Sequence, residues 1–174
     1  MATARIDHTA TLLPDGTVLV TGGTNPGNGA VSSAEVYDPK TGTFSPTGSM
    51  MAKRAGHAAT LLRDGRVLIA GGSDGEWVSS AELYDPRTGA FSRTGSTMTD
   101  RGVHAATLLQ DGRVFVLLNP NGEPELYDPG SGGFTDSGLA LHRWPSTATP
   151  LADGRVLIAG GMGEDGARAD LYQP

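Results

Sequence analysis

The sequence predicts an all-β propeller of four blades, each a copy of one unit of 42 to 49 residues. Two spacings and one repeated text predict it. The Gly of each Asp-Gly pair falls at Gly16, Gly65, Gly112 and Gly154, at intervals of 49, 47 and 42. Tyr37, Tyr84, Tyr127 and Tyr172 follow at intervals of 47, 43 and 45. The text itself recurs: HAATLLRDGRVLIAGG and AELYDPRTGAF in the second copy, HTATLLPDGTVLVTGG and AEVYDPKTGTF in the first. Periods in the forties with short strand signals mark propeller blades. The content of 26 Gly in 174 residues suits a chain of many tight turns. The blades run 1–49, 50–96, 97–138 and 139–174, within one domain spanning 1–174.

The second copy justifies the elements in order. His57 to Leu62 is small and β-capable, and reads as a first strand. Asp64-Gly65 then predicts a two-residue type I′ hairpin, with positive φ at both central positions. Arg66 to Ala70 is nearly continuous Val-Leu-Ile, as befits a strand buried on both faces. Gly71-Gly72 ends it, where the missing Cβ atoms allow a sharp exit or a close backbone approach. The polar stretch Ser73 to Ser80 is a loop, and Ala81 to Tyr84 is a third strand. In Asp85-Pro-Arg-Thr-Gly89 the Asp side chain bonds the following backbone, Pro presets φ and Gly takes the left-handed position. Ala90 to Thr94 is the fourth strand, completing an antiparallel meander.

At the residues RxxHxATLLxDGxVLxxGG and AExYDPxTGxF the sequence resembles the kelch repeat family, over essentially the whole chain. The look is closest to the Asp-Gly-rich bacterial form of the repeat. The resemblance implies a β-propeller with one unit per blade and the first strand of each innermost.

The copies are unequal. Blade 1 carries a long polar loop, Thr24 to Ala30. Blade 3 has Leu118-Asn119 in place of the double glycine. Blade 4 has Ser146 where the others have His, and no TGxF segment after Tyr172. Three arrangements follow: a ring closed by a three-stranded blade, half of a dimeric larger ring, or part of a longer propeller. An exposed edge on blade 4 would be a pairing site, so self-association that completes the propeller is expected.

In a four-stranded meander the Asp-Gly and YDPxTG turns share one face of the disc. Loops after the double glycine and the connectors share the other. Nearly all differences between copies fall on that second face, at Asn25, Asn28, Asp74, Glu76, Trp77, Asn119, Glu123, His142, Trp144, Glu164, Asp165 and Arg168. Binding is expected where loops cluster and copies diverge. A glycan, peptide or protein ligand is expected there, with Trp77 and Trp144 stacking and the Asn and acidic residues hydrogen-bonding. Near the axis, His8, His57 and His104 recur once per blade, as do Arg5, Arg54, Arg101 and Arg143. These could form an axial pocket for a small isomerase or cyclase. Each Arg is matched by an acid, Glu35, Glu82, Glu125 or Asp170, which favours a repeated structural ion pair. The His spacing is only the repeat period, so no metal is expected.

Catalytic signals are thin, and a binding module is preferred over an enzyme. Cys is absent, so the Cys–Tyr crosslink of galactose-oxidase-like kelch enzymes cannot form. GxSxG and HExxH do not occur. Asp100 and His104 form DxxxH, but Ser96 stands where the iron pattern of kelch-type specifier proteins has Glu. Paired carboxylates among Asp74, Glu76, Glu123 and Glu164 remain conceivable for glycosidase-like work. No cofactor is expected. Net charge is −6, and the 13 basic residues are dispersed, which argues against nucleic acid. The apolar runs are too short to span a membrane as a helix, and no signal peptide is seen. A secreted or cell-surface bacterial setting is favoured over a cytoplasmic one, and a purely structural repeat within a larger surface protein is the further alternative.

Overall fold

The computed structural model describes residues 1–99, 102–119, 123–141, 147–161 and 168–174, with the backbone alone at His104 and Asn119. The described residues form seventeen strands and no helix. The first unit contributes β1 (Thr9–Leu12), β2 (Val18–Thr21), β3 (Thr24–Asn25), β4 (Gly29–Ala30), β5 (Ala34–Asp38) and β6 (Thr43–Pro46). The second contributes β7 (Ala58–Leu61), β8 (Val67–Ala70), β9 (Ser80–Asp85) and β10 (Ala90–Ser96). The third contributes β11 (Gly102–Leu108), β12 (Val114–Asn119), β13 (Glu125–Asp128) and β14 (Gly133–Asp136). The fourth contributes β15 (Thr147–Pro150), β16 (Val156–Ala159) and β17 (Ala169–Tyr172). Three sheets are four-stranded meanders, and the fourth has three strands. The pair β3–β4 makes a small ribbon inside what the sequence predicts as a plain loop.

The Asp-Gly hairpins differ from the expected type I′ turns. Gly16 N–H donates to Leu13 O at 3.0 Å, and Leu13 N–H donates to Thr17 O at 2.8 Å. Only the glycine has positive φ, 87° at Gly16 and 86° at Gly65. This is a three-residue loop, a type I turn closed by a glycine bulge. The same pairing recurs at Leu62, Leu109 and Leu151. Asp at the preceding position keeps ordinary φ and bonds the backbone two residues on, as Asp64 Oδ1 does from Arg66 N–H at 3.0 Å. The second turn behaves as its residues dictate: Gly89 N–H donates to Asp85 O at 2.8 Å, and Gly89 has φ 68°.

Packing follows from strand alternation. Opposed residues of neighbouring strands share a face, so Leu61, Val67, Tyr84 and Phe91 form one row across the second sheet. Thr60, Leu68, Leu83 and Ser92 form the row behind it. The front row joins Leu13, Leu19 and Ala34 of the first unit, together with Met50 of the connector, in one core. The back face joins Val103, Val114, Val116 and Tyr127 of the third unit in another. A third core links Phe115, Leu117 and Leu126 to Val156, Ile158 and Tyr172. The inner strands β1, β7, β11 and β15 lie side by side in that order. Face-to-face meanders with their first strands innermost are the propeller arrangement.

The first two junctions are also clipped by hydrogen bonds. Thr47 Oγ1 lies 3.0 Å from the Tyr84 hydroxyl, and Gly48 N–H donates to Gly89 O at 2.9 Å. Thr94 and Gly95 repeat this on Tyr127 and Gly132. The double glycine serves the inner end of the junction. A Cβ on Gly71 would stand 2.5 Å from Val103 Cβ, and Gly71 has φ 69°. Gly71→Ala is therefore expected to lower stability by about 1–3 kcal/mol, from backbone strain and overpacking together. Denaturant melts check this, and a loss below about 0.5 kcal/mol would show that the junction yields.

Candidate functional site

The loop face is built from connections that leave the double glycines. In the first unit, Asn25 Nδ2 donates to Ala4 O at 2.9 Å and Asn28 Nδ2 donates to Asn25 Oδ1 at 3.3 Å. Both asparagines thus brace the β3–β4 ribbon. In the second unit the chain turns sharply through 73–77. Ser73 bridges to Ala55 on one side and to Trp77 on the other, and Asp74 N–H donates to Glu76 O at 3.1 Å. This turn holds Asp74 and Glu76 exposed and lays the Trp77 ring against the third unit.

Trp77 is the best-defined feature of that face. A Cβ on Gly102 would lie 2.4 Å from Trp77 Cζ3, so the indole rests on bare glycine backbone. Gly102 is paired with Asn119 across β11 and β12. Trp77 as a whole is 50% exposed. A large aromatic seated on backbone and half in water is a ready stacking surface. Two residues singled out by sequence, Trp77 and Asn119, are thereby brought to the same seam between units. Glu123 and Arg168 are exposed on the same end of the sheets. Asp100, Arg101, His142, Arg143, Trp144, Glu164 and Asp165 lie outside the described residues, as do the side chains of His104 and Asn119.

The axial candidates are placed as follows. His8 is exposed and His57 is buried. His57 Nε2 lies 2.8 Å from Thr9 Oγ1 and 3.0 Å from Thr21 Oγ1, so it ties the second unit to the first. Burial pushes the His57 imidazole down to about 3, helped by the nearby Arg54 charge. Arg54 is fully buried. Its Nη2 donates to Glu82 Oε1 at 2.9 Å, and its Nη1 donates to Gly71 O at 2.7 Å and Ser80 O at 2.9 Å. Glu82 in turn accepts from Met51 and Ala52 N–H. Arg5 and Glu35 repeat the arrangement in the first unit, at 2.9 Å. Burial pushes the Glu35 carboxyl up, but the Ala2 amide and Arg5 outweigh it and hold it below the usual range. His57 and Arg54 are thus engaged in joining segments of the fold.

Sequence reasoning assigned no binding role to the turn face, yet it carries concavities. A cleft of about 470 Å³ lies where the first two units meet, lined by Pro14, Asp15, Arg63, Asp64, Gly65 and Arg87. Smaller ones of about 240 and 230 Å³ follow at the next two junctions. Their walls are self-neutralised: Asp64–Arg66, Asp111–Arg113 and Asp153–Arg155 each pair at 2.6 Å. The repeated Asp-Gly-Arg text was the signal for these grooves. Among the described residues no group of His and acidic side chains is placed to hold a metal ion, and no helix is long and apolar enough to cross a membrane.

The kelch motif matches at residues 8–51 and 54–98, together more than half of the chain. No curated protein matches the sequence. The matched segments cover the first two meanders, with their His, double glycine and YDPxTG turn, and the third and fourth sheets repeat the same strand order. The chain belongs to the kelch-repeat family.

Proposed function

We propose that the protein is an interaction module whose loop face, centred on Trp77, receives a glycan, peptide or protein ligand. Kelch repeats commonly mediate protein–protein interaction, and the loop face is where the four units differ. The observation that carries the reading is the indole of Trp77, half exposed and seated on Gly102. Such a ring loses little conformational freedom when a second planar or apolar group stacks on it. Asp74 and Glu76 flank it as exposed acceptors for ligand hydroxyl or amide donors.

A glycan array and a displayed peptide library, screened with the whole chain, supply the probe. Titration of the selected binder is expected to shift indole emission. Trp77→Ala is expected to weaken it at least tenfold, roughly 1.4 kcal/mol, while Trp77→Phe keeps part of the affinity. A Trp77→Ala variant that binds as the parent does would move the site elsewhere.

A further inference from the structure

The two ends of the row of sheets are unlike its junctions. In the second unit the row Leu61, Val67, Tyr84 and Phe91 is covered by the first unit. The first unit carries the same row at Leu12, Val18, Tyr37 and Phe44. There Leu12 is 64% exposed and Phe44 37% exposed. At the other end, the row Thr60, Leu68, Leu83 of the second unit recurs as Thr149, Leu157 and Leu171 of the fourth. Leu83 is 6% exposed, whereas Leu171 is 49% exposed. Three apolar cores join the four units among the described residues, and none joins the fourth to the first.

These two open faces are a matched pair. Every core inside the molecule is made by a row of the fourth unit's kind meeting a row of the first unit's kind. The polar joint repeats too. His57 reaches back to Thr9 of the preceding unit, and the same register puts His8 on the first face and Thr147 on the fourth. We infer that the fourth-unit face of one copy of this chain docks on the first-unit face of a second copy, head to tail.

A heterologous contact of this kind closes into a ring when its rotation allows, and then two seams hold two copies. The fourth sheet has three strands, so the new seam lacks the threonine–glycine clip that Thr47 and Thr94 supply at the first two junctions. It is therefore weaker than those two junctions, and the assembly dissociates on dilution. The occupant is a second copy because, among the described residues, the chain itself carries the complementary row, in the register the internal cores use.

Light scattering on a sizing column, run over a dilution series of the whole chain, tests this. The expected mass at the concentrated end is twice 17.9 kDa. Leu12→Asp and Leu171→Asp each place a charge in one face, and each is expected to return the mass to a single copy. Both residues are already about half or more in water in the single copy, so the melting temperature of dilute protein should not change. Mixing the two variants leaves one seam with both faces intact, and a 1:1 pair is expected to reappear. Trp77→Ala, on the loop face, is expected to leave the mass at two copies. A parent chain that stays at one copy at every concentration overturns the inference. So does a Leu171→Asp variant that still doubles, since that requires two first-unit faces to meet each other.

Discussion

Removing one charge of the Arg54–Glu82 pair is expected to cost about 3–5 kcal/mol, enough to unfold much of the population of a marginally stable chain. Both side chains are essentially dry, at 0% and 2% exposure. Glu82→Ala strands a guanidinium where burial already works against its charge. It also strips the Met51 and Ala52 amides of their acceptor. Arg54→Ala strands the carboxylate and leaves Gly71 O and Ser80 O without their donor. Replacing both by leucine removes both charges at once and is expected to cost far less than the sum of the single changes. Asp64→Ala is the contrast. Its pair with Arg66 has the same kind of distance, 2.6 Å, but stands partly in water, and about 0–1 kcal/mol is expected. Urea melts of the four variants check the ranking. Equal losses for Glu82→Ala and Asp64→Ala would show that burial does not set the strength of these pairs.

Acid is expected to loosen the fold through His57 before the carboxylates respond. Its pKa is about 3 in the folded chain, against about 6.5 in an unfolded one. The folded state therefore favours the neutral ring. The contribution is whole above pH 6.5 and falls as pH drops from 6.5 toward 3, because the unfolded chain takes up the proton first. Each pH unit in that window removes about 1.4 kcal/mol, so the loss is on the order of 3 kcal/mol by pH 4. His57→Gln is expected to start less stable but to show a shallower slope between pH 6.5 and 4. Arg54 and His8 supply the nearby positive charges, and Thr9 and Thr21 the hydroxyls that meet the ring. Parallel stability curves for parent and variant would mean that the ring titrates normally.

The sequence by itself determined the unit and its internal strand order. The Asp-Gly pairs mark the hairpin of every unit and Tyr-Asp-Pro the outer turn of the first three, and Val67 to Ala70 reads correctly as a strand buried on both sides. These features are local. They depend on side-chain alternation, on proline, and on glycine at positive φ, all of which act within a few residues. The Asp-Gly pair alone does not fix the hairpin type, because it is compatible with several turns. The choice of a glycine bulge rests on Leu13 and Thr17 pairing outside the dipeptide.

Only the tertiary structure decided what the recurring residues do. Sequence placed His57 and Arg54 near an axis, but could not say whether they faced a ligand or a neighbouring segment. The fold turns His57 to Thr9, forty-eight positions earlier, and Arg54 to Glu82, twenty-eight later. In the same way, nothing in Gly102 announces that an indole rests on it, since that contact joins two units through space. The open end faces were equally hidden, because Leu12 and Leu61 stand in the same repeat text. What separates them is whether a neighbouring sheet covers the row, and burial of that kind is a property of assembled sheets rather than of residues.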